Sequence, residues 1–198
     1  MALNWRQRQK LELRQMLYQT SLELFEANGY ESTTVQQITD QQGVAKGTFF
    51  NHFPTKEHVI EEWYNNITSR SLKAAGKRKD TSAEEAILAL ISDMARQAMA
   101  SPELLIAKSR NSGNPLLIDA EQQQDQKVHE YLIQYCTQGK AQGELADDLN
   151  EEFFVDLLIA VLTGSSRAWV DTVPRFDFPT VIRERVRFLF RAARPAHN

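Results

Sequence analysis

Small and polar residues that suit contact with nucleic acid cluster between residues 45 and 52. Phe49 and Phe53 lie four residues apart, so in a helix both rings face the same side and pack inward. The other side then carries small side chains, donors and acceptors: Lys46, Gly47, Thr48, Asn51 and His52. Such groups at the exposed start of a helix hydrogen-bond to base edges in the major groove of DNA. We therefore expect residues 45–52 to form a DNA-reading helix.

A second short helix and a tight turn have to position this reading helix. Thr33 and Thr34 each fit the start of the second helix, because a glutamine follows each of them three residues later. This helix buries Ile38 and ends near Gly43, and Val44 then returns the chain to the core. Two short helices joined by a tight turn, with apolar residues before, within and after it, indicate a helix-turn-helix. An ordinary turn between two helices of an all-α protein gives the same pattern.

The longer runs 29–38 and 43–57 resemble the N-terminal DNA-binding domain of the TetR family of bacterial transcription regulators. The resemblance is dense over residues 10–60 and architectural beyond them. It implies an all-α protein with a helix-turn-helix domain at residues 1–55. A larger helical domain for effector binding and dimerisation would follow at residues 56–198.

The resemblance also implies DNA contacts for individual residues. The residues that match Thr34, His52 and Lys56 contact phosphates in the family. Those at or near the bases match Lys46, Gly47, Thr48 and Asn51. Phe50 stands where the family often has a tyrosine whose hydroxyl contacts the DNA backbone, and phenylalanine lacks that hydroxyl. The alternatives are a solvent-facing helix residue for His52 and a plain surface lysine for Lys56.

The rest of the chain also has helical patterns. Only 8 glycines and 6 prolines in 198 residues argue against a turn-rich all-β fold. Apolar residues recur at a spacing of three to four, and we find no convincing strand. The further helices that this spacing predicts are 13–27, 55–75, 82–100, 103–110, 119–138, 151–171 and 179–193.

The sequence lacks the residue patterns that catalysis or metal binding would need. Cys136 is the single cysteine, which excludes an internal disulfide and a thiolate cluster. His129 lies seven residues from it, and two isolated ligands do not make a metal site. We find no nucleophile–base arrangement and no glycine-rich phosphate loop after a strand. We therefore expect no enzyme, no bound metal and no cofactor.

Positive charge is concentrated near the N-terminus, although the net charge of the chain is −3. The first fourteen residues hold one acidic side chain, Glu12, and four basic ones. The basic residues are Arg6, Arg8, Lys10 and Arg14. Local clustering of charge is what a phosphate backbone responds to. This segment either touches phosphates beside the reading helix or forms a solvated arm.

We expect the chain to work in the cytoplasm. No apolar segment follows the basic N-terminus as it would in a secretory signal. The longest apolar stretch, around residues 153–162, covers about ten residues, too few to span a bilayer. We therefore expect no membrane partner. An arginine-rich last helix that lies on a membrane surface is the alternative.

An effector cavity is expected within residues 60–170, because ligand sites are mostly apolar with a few polar groups at the rim. The candidate lining residues are Trp63, Met94, Met99, Tyr131, Tyr135 and Trp169. Each of these side chains is alternatively a plain core residue. An apolar and aromatic lining would suit an apolar or amphipathic ligand.

The helix predicted at residues 151–171 is apolar on more than one face, which exceeds the need of a monomer surface helix. The family resemblance implies that the last two helices of each protomer build a four-helix dimer interface. The candidate interface residues are Phe154, Leu157, Leu158, Val161, Ile182, Val186 and Leu189. A fully buried central helix is the alternative.

These observations lead to one hypothesis and two alternatives. The hypothesis is a homodimeric, sequence-specific transcriptional regulator that a small effector releases from a palindromic operator in double-stranded DNA. By resemblance it acts as a repressor. The first alternative is a helical small-molecule-binding protein that does not use its helix-turn-helix. The second is a constitutive DNA-binding factor without effector control.

Overall fold

The computed structural model describes residues 4–77, 81–173 and 175–195. Over these ranges the chain forms α-helices and no β-strand. The helices are α1 (Trp5–Asn28), α2 (Val35–Gln41), α3 (Lys46–Phe50), α4 (Glu57–Ala75), α5 (Ala83–Met99), α6 (Pro102–Arg110), α7 (Pro115–Ala141), α8 (Glu151–Asp171) and α9 (Phe178–Ala193). The all-α fold expected from the sequence is confirmed.

Three helices differ clearly in length from the sequence prediction. α7, predicted over residues 119–138, runs from Pro115 to Ala141, so it begins four residues earlier and ends three residues later. α1 begins at Trp5, eight residues before the first apolar residue of its predicted stripe. The cause is a complete capping box, in which the Asn4 side chain accepts from the Gln7 N–H and the Gln7 side chain accepts from the Asn4 N–H. α3 is shorter than predicted and ends at Phe50, because the chain bends into a turn before Phe53.

The chain divides into two compact units. The first comprises residues 1–63 and 101–117, and the second comprises residues 64–100 and 118–198. This division by contacts places the start of α4 and all of α6 with the helix-turn-helix. The boundary expected from the sequence, between residues 55 and 56, stays a prediction about functional domains.

α1 and α6 pack against each other in the first unit. The carboxylate of Glu26 on α1 accepts hydrogen bonds from the backbone N–H groups of Glu103, at 3.4 Å, and Leu104, at 3.3 Å. The Glu103 N–H lies in the first turn of α6, where a helix offers its N–H groups no intrahelical partner. The Leu104 N–H is shared between Glu26 and the carbonyl of Ser101, which lies at 3.2 Å. The Ser101 side chain makes no capping bond. Glu26 therefore caps α6 from another helix.

The core of the second unit lies between α5, α8 and α9. Its centre contains side chains without exposed surface from each of these helices, among them Leu90, Leu158, Ile182 and Val186. α9 carries this apolar stripe on one face, and most of its exposed residues are arginines. It therefore packs as an amphipathic helix against both α5 and α8.

Among the described residues, α8 is long and apolar enough, by length and composition alone, to cross a membrane. The apolar stretch expected from the sequence was too short, because the helix continues past Leu162 to Asp171 with Arg167 as the one charged residue between them. A core helix of a soluble protein passes the same test. Only 28% of the apolar segment of α8 is buried within the chain, so much of it remains uncovered.

Candidate nucleic-acid interface

A four-residue connection, residues 42–45, turns the chain from α2 into α3. The N–H of Gly43 donates to the carbonyl of Asp40 at 3.1 Å, and the N–H of Val44 donates to the carbonyl of Thr39 at 3.0 Å. Gly43 has a φ of +64°, a backbone conformation that strains any residue with a Cβ. The sequence prediction of a tight turn at this glycine is confirmed.

The start of α2 is fixed by Thr34 rather than Thr33. The hydroxyl oxygen of Thr34 accepts from the N–H of Gln37 at 3.2 Å, and the Gln37 side chain accepts from the N–H of Thr34 at 2.7 Å. Thr33 is buried, and its hydroxyl lies within hydrogen-bond distance of the carbonyls of Leu24 and Gly29. Thr34 is therefore the exposed cap of α2, and Thr33 joins the end of α1 to the next loop.

α2 is anchored on α1 by polar as well as apolar contacts. Ile38 has no exposed surface. Near the C-terminus of α2, the Gln42 amide donates to the hydroxyl of Thr20 on α1 at 2.6 Å. The hydroxyl of the buried Thr39 lies 3.0 Å from the carbonyl of Val35. Each buried polar group of this contact therefore has a partner, as a rigid platform for α3 requires.

The outward side of α3 carries the residues predicted to read DNA. Lys46, Gly47 and Asn51 are exposed, whereas Phe49 and Phe53 have no exposed surface. A Cβ at Gly47 would meet no atom within 4 Å, so the outer side of this turn is open space. Thr48 and His52 are half-buried at its edges. This division of inward and outward side chains agrees with the sequence prediction.

Phe50 is 42% exposed on the same short helix. Its ring packs edge-on against Phe49, with 5.7 Å between the ring centres. An exposed phenylalanine cannot hydrogen-bond to a phosphate, but it can make apolar contact with the methyl group of a thymine. The hydroxyl contact that the family resemblance implies at this position therefore cannot form.

Lys56 is placed differently from the outward residues of α3. Its ammonium group donates to the carbonyl of Tyr30 at 2.7 Å and to that of Thr33 at 3.0 Å, and it lies 4.0 Å from the centre of the Tyr30 ring. Burial lowers the pKa of Lys56, and the nearby carboxylates of Glu31 and Glu57 oppose that effect. Two of its three N–H donors are therefore already used inside the protein.

Basic residues of α1 lie beside the end of α3. The guanidinium of Arg14 stacks 4.2 Å from the centre of the Phe53 ring and forms an ion pair with Glu62. The pKa of His52 is lowered by burial first and then by the positive charges of Lys10 and Arg14. The sequence pattern shows the basic residues without placing them on α1. The signal that places them is the Asn4–Gln7 capping box, with which α1 begins at Trp5.

The six predicted effector residues are distributed over both units. Trp63 belongs to the first unit, and the other five belong to the second. In the second unit the rings of Tyr131 and Tyr135 lie 4.7 Å apart, and the indole N–H of Trp169 donates to the carbonyl of Phe176 at 3.0 Å. Met94 is buried, and Met99 is half-buried. Two clefts of this unit, of about 530 and 570 Å³, are lined by other residues. The effector site stays a prediction.

The predicted interface residues separate into two groups. Four of them have at most 3% exposed surface within the chain itself: Phe154, Leu158, Ile182 and Val186. A side chain that is already covered has no surface left to bury against a second copy, so the interface prediction is corrected for these four. Leu157, Val161 and Leu189 are half-buried and stay candidates. Phe153 and Phe188, which the predicted set does not include, are 62% and 63% exposed.

The two residues weighed as metal ligands are not paired with each other. The imidazole of His129 lies 2.9 Å from the carboxylate of Glu152. Cys136 is fully buried, and burial raises the pKa of its thiol to about 12. In the part of the chain that the structure describes, no cluster of three or more His, Cys, Asp or Glu side chains could hold a metal ion.

Residues 17–63 match the model of the tetR family of bacterial regulatory proteins. Over 54 residues the chain is 50% identical to the transcriptional regulator TcmR of Streptomyces glaucescens, which covers 27% of this chain and 24% of TcmR. It is 27% identical over 164 residues to the transcriptional repressor DhaR of Mycobacterium sp. strain GP1, which covers 77% of this chain and 80% of DhaR. The chain thus spans about a quarter of TcmR and about a fifth of two further curated relatives.

The fold is also found among solved structures. FadR of Bacillus subtilis, solved in complex with stearoyl-CoA, superposes with a TM-score of 0.71 at 19% sequence identity. The match covers 89% of this chain and 97% of that structure. At this identity the likeness shows that the two proteins share a fold.

Proposed function

We propose that the chain is a homodimeric, sequence-specific transcriptional repressor of the tetR type, because residues 17–63 match the model of the tetR family of bacterial regulatory proteins. The observation that carries this proposal is the construction of α3. Its apolar side is held in the core through Phe49 and Phe53, while Lys46, Gly47 and Asn51 stay exposed. A side chain at the exposed start of a short, rigidly held helix can reach base edges in the major groove.

The phosphate contacts of this proposal belong to the elements around α3. Thr34 is exposed at the start of α2, where free backbone N–H groups and the helix dipole favour an anion. His52 lies in the turn that follows α3, near the basic residues Lys10 and Arg14 of α1. Together they would fix the helix on the DNA backbone, and the bases would be read between them.

The proposed dimer uses the uncovered sides of α8 and α9. Phe153 and Phe188 are large apolar side chains left largely exposed on these two helices. Leu157, Val161 and Leu189 lie half-buried on the same helices. A two-fold dimer presents two copies of α3, so its operator is a near palindrome with half-sites roughly 34 Å apart.

We propose an apolar or amphipathic effector, and long-chain acyl-CoA thioesters are the first class to screen. FadR of Bacillus subtilis has this fold and is solved with stearoyl-CoA. An effector that binds the second unit would act only through a difference in affinity for the DNA-binding and the released state. A coupling free energy of about 1–3 kcal/mol would weaken operator binding about 5- to 150-fold.

The proposal is tested by selecting bound sequences from a random pool of double-stranded DNA at two salt concentrations. Sequence-specific binding survives the higher salt better than purely electrostatic binding. We expect enrichment of one palindrome at both concentrations. The palindrome then serves as the probe for effector release. Absence of any enriched sequence would refute the proposal and favour a helical small-molecule-binding protein.

A further inference from the structure

The first two turns of α1 lie outside the core of the first unit. Every residue from Asn4 to Glu12 is exposed, although this segment is helical and has a complete capping box. A short helical segment without packing is marginal in water, because helix stability in proteins comes mostly from a buried face. Packing inside this unit therefore does not explain why the exposed segment is helical. Contact with a partner outside the chain would explain it.

One side of this segment carries a row of positive charge. Arg6, Lys10 and Arg14 follow one another at a spacing of four, which places them on one face of the helix. Like charges at this spacing destabilise an isolated helix by a few tenths of a kcal/mol per pair. Glu12 lies two residues from both Lys10 and Arg14, so it does not face them. The row therefore favours an anionic partner.

The row ends beside the turn that follows α3. Arg14 is fixed against Phe53, the residue that follows His52. From Arg14 to Arg6 the helix rises about 12 Å, at about 1.5 Å per residue. One strand of B-DNA carries a phosphate for about every 3.4 Å of helix axis, so the row can meet several phosphates in succession.

We propose that the exposed N-terminal segment of α1 binds the DNA phosphate backbone beside the groove that α3 enters, through Arg6 and Lys10. This inference rests on the proposed function. It adds a second contact surface, which would strengthen binding to all sequences and leave the choice of bases to α3. Arg14 anchors the segment on Phe53 and is a positioning residue.

The test compares Lys10→Gln with the matched control Arg8→Gln in the full-length protein. Both changes remove one positive charge from an exposed position of the same segment. Arg8 lies two residues from Lys10 and therefore on the opposite side of the helix. Circular dichroism confirms that both variants keep the helical content of the parent chain.

The measurement is the dissociation constant for the selected palindrome as a function of salt concentration. Each phosphate contact contributes about 0.9 to the slope of log K against log salt concentration. We expect Lys10→Gln to reduce the slope by about two in the dimer, one contact from each protomer, and Arg8→Gln to leave it unchanged. Hydroxyl-radical footprinting should show lost protection outside the palindrome for Lys10→Gln alone.

Two results would overturn the inference. If Lys10→Gln keeps the parent slope and footprint while the parent binds the palindrome, the segment does not contact DNA and the proposed function stands. If both variants reduce the slope equally, the effect comes from net charge. The inference that one face of the helix contacts the phosphates is then wrong. A parent chain that selects no DNA sequence overturns both the inference and the proposed function.

Discussion

Lys56 holds Tyr30 in two ways. Its Nζ lies 2.7 Å from the carbonyl oxygen of Tyr30 and 4.0 Å from the centre of the same residue's ring. The Tyr30 hydroxyl in turn donates to Glu57 at 3.0 Å. The start of α4 is thereby fastened to the loop that precedes α2, so these contacts set the position of the helix-turn-helix. The phosphate contact implied by the family resemblance would have to use the one remaining N–H of Lys56.

We predict that Lys56→Met lowers stability and DNA affinity without changing the salt dependence of binding. The change removes two charge-assisted hydrogen bonds at a half-buried site, which costs about 1.5–3 kcal/mol in the free energy of unfolding. Denaturant unfolding and salt titrations of binding measure the two effects. A slope reduced by about 0.9 per protomer would instead establish a phosphate contact. Tyr30→Phe serves as the control that loosens the same loop without removing a charge.

We predict that DNA affinity rises as the pH falls from about 8 toward 6, because a phosphate beside His52 favours its charged form. In the free protein, burial and the charges of Lys10 and Arg14 lower the pKa of His52 from 6.5, while Glu62 pairs with Arg14. His52 is therefore neutral near pH 7 and takes up a proton on binding. Binding measured across this range should show the dependence in the parent chain and lose it in His52→Gln. An unchanged profile in His52→Gln would assign the dependence to another group.

The same lowered pKa has a consequence for stability. The unfolded chain binds the His52 proton more readily than the folded chain does. The contribution of His52 is therefore fully present above about pH 6.5 and is lost as the pH falls through the lowered pKa. Thermal unfolding of the DNA-free protein between pH 7.5 and about 5 should show a smaller loss of stability in His52→Gln than in the parent chain.

We predict that Glu26→Ala destabilises the first unit by about 1 kcal/mol, since it removes the cap of α6. Burial is the largest influence on Glu26 and raises the pKa of its carboxyl group. Glu26→Gln keeps an acceptor oxygen without the buried charge, so it should retain most of the stability. Chemical denaturation compares the two variants. Equal losses for Ala and Gln would show that the charge, rather than the hydrogen bonds, caps the helix.

We predict that Phe153→Glu and Phe188→Glu each convert the dimer into monomers, because each places a charge in the proposed apolar interface. Ile118→Glu is the matched control, since Ile118 is an exposed apolar side chain on α7. Sedimentation or light scattering gives the molar mass, and circular dichroism confirms the fold. A parent chain that is monomeric, or a control that dissociates equally, would contradict the proposed interface.

The sequence predicted the helix-turn-helix well because its signals are local. A glycine that must adopt a positive φ and two phenylalanines four residues apart specify the turn and the inner side of α3, and both agree with the structure. Which of Thr33 and Thr34 caps α2 depends on which hydroxyl hydrogen-bonds to the carbonyls at the end of α1. That contact joins residues nine positions apart, so the capping pattern alone could not decide it.

Roles that depend on long-range packing were harder to predict. Ile182 and Val186 are apolar, as interface residues often are, but their side chains are buried in the core of the protomer. Apolar character specifies burial without specifying whether the cover comes from the same chain or a second copy. The role of Lys56 likewise depends on Tyr30 and Thr33, more than twenty residues earlier in the chain.

The central claim is that α3 reads DNA sequence, and the most direct measurement is a selection from random double-stranded DNA with the parent chain and Asn51→Ala in parallel. We expect the parent chain to select one palindrome. For Asn51→Ala we expect relaxed preference at two symmetry-related positions, with a loss of about 1–3 kcal/mol per contacted base pair. The same palindrome at the same preference from both proteins, or none from the parent chain, would contradict the claim.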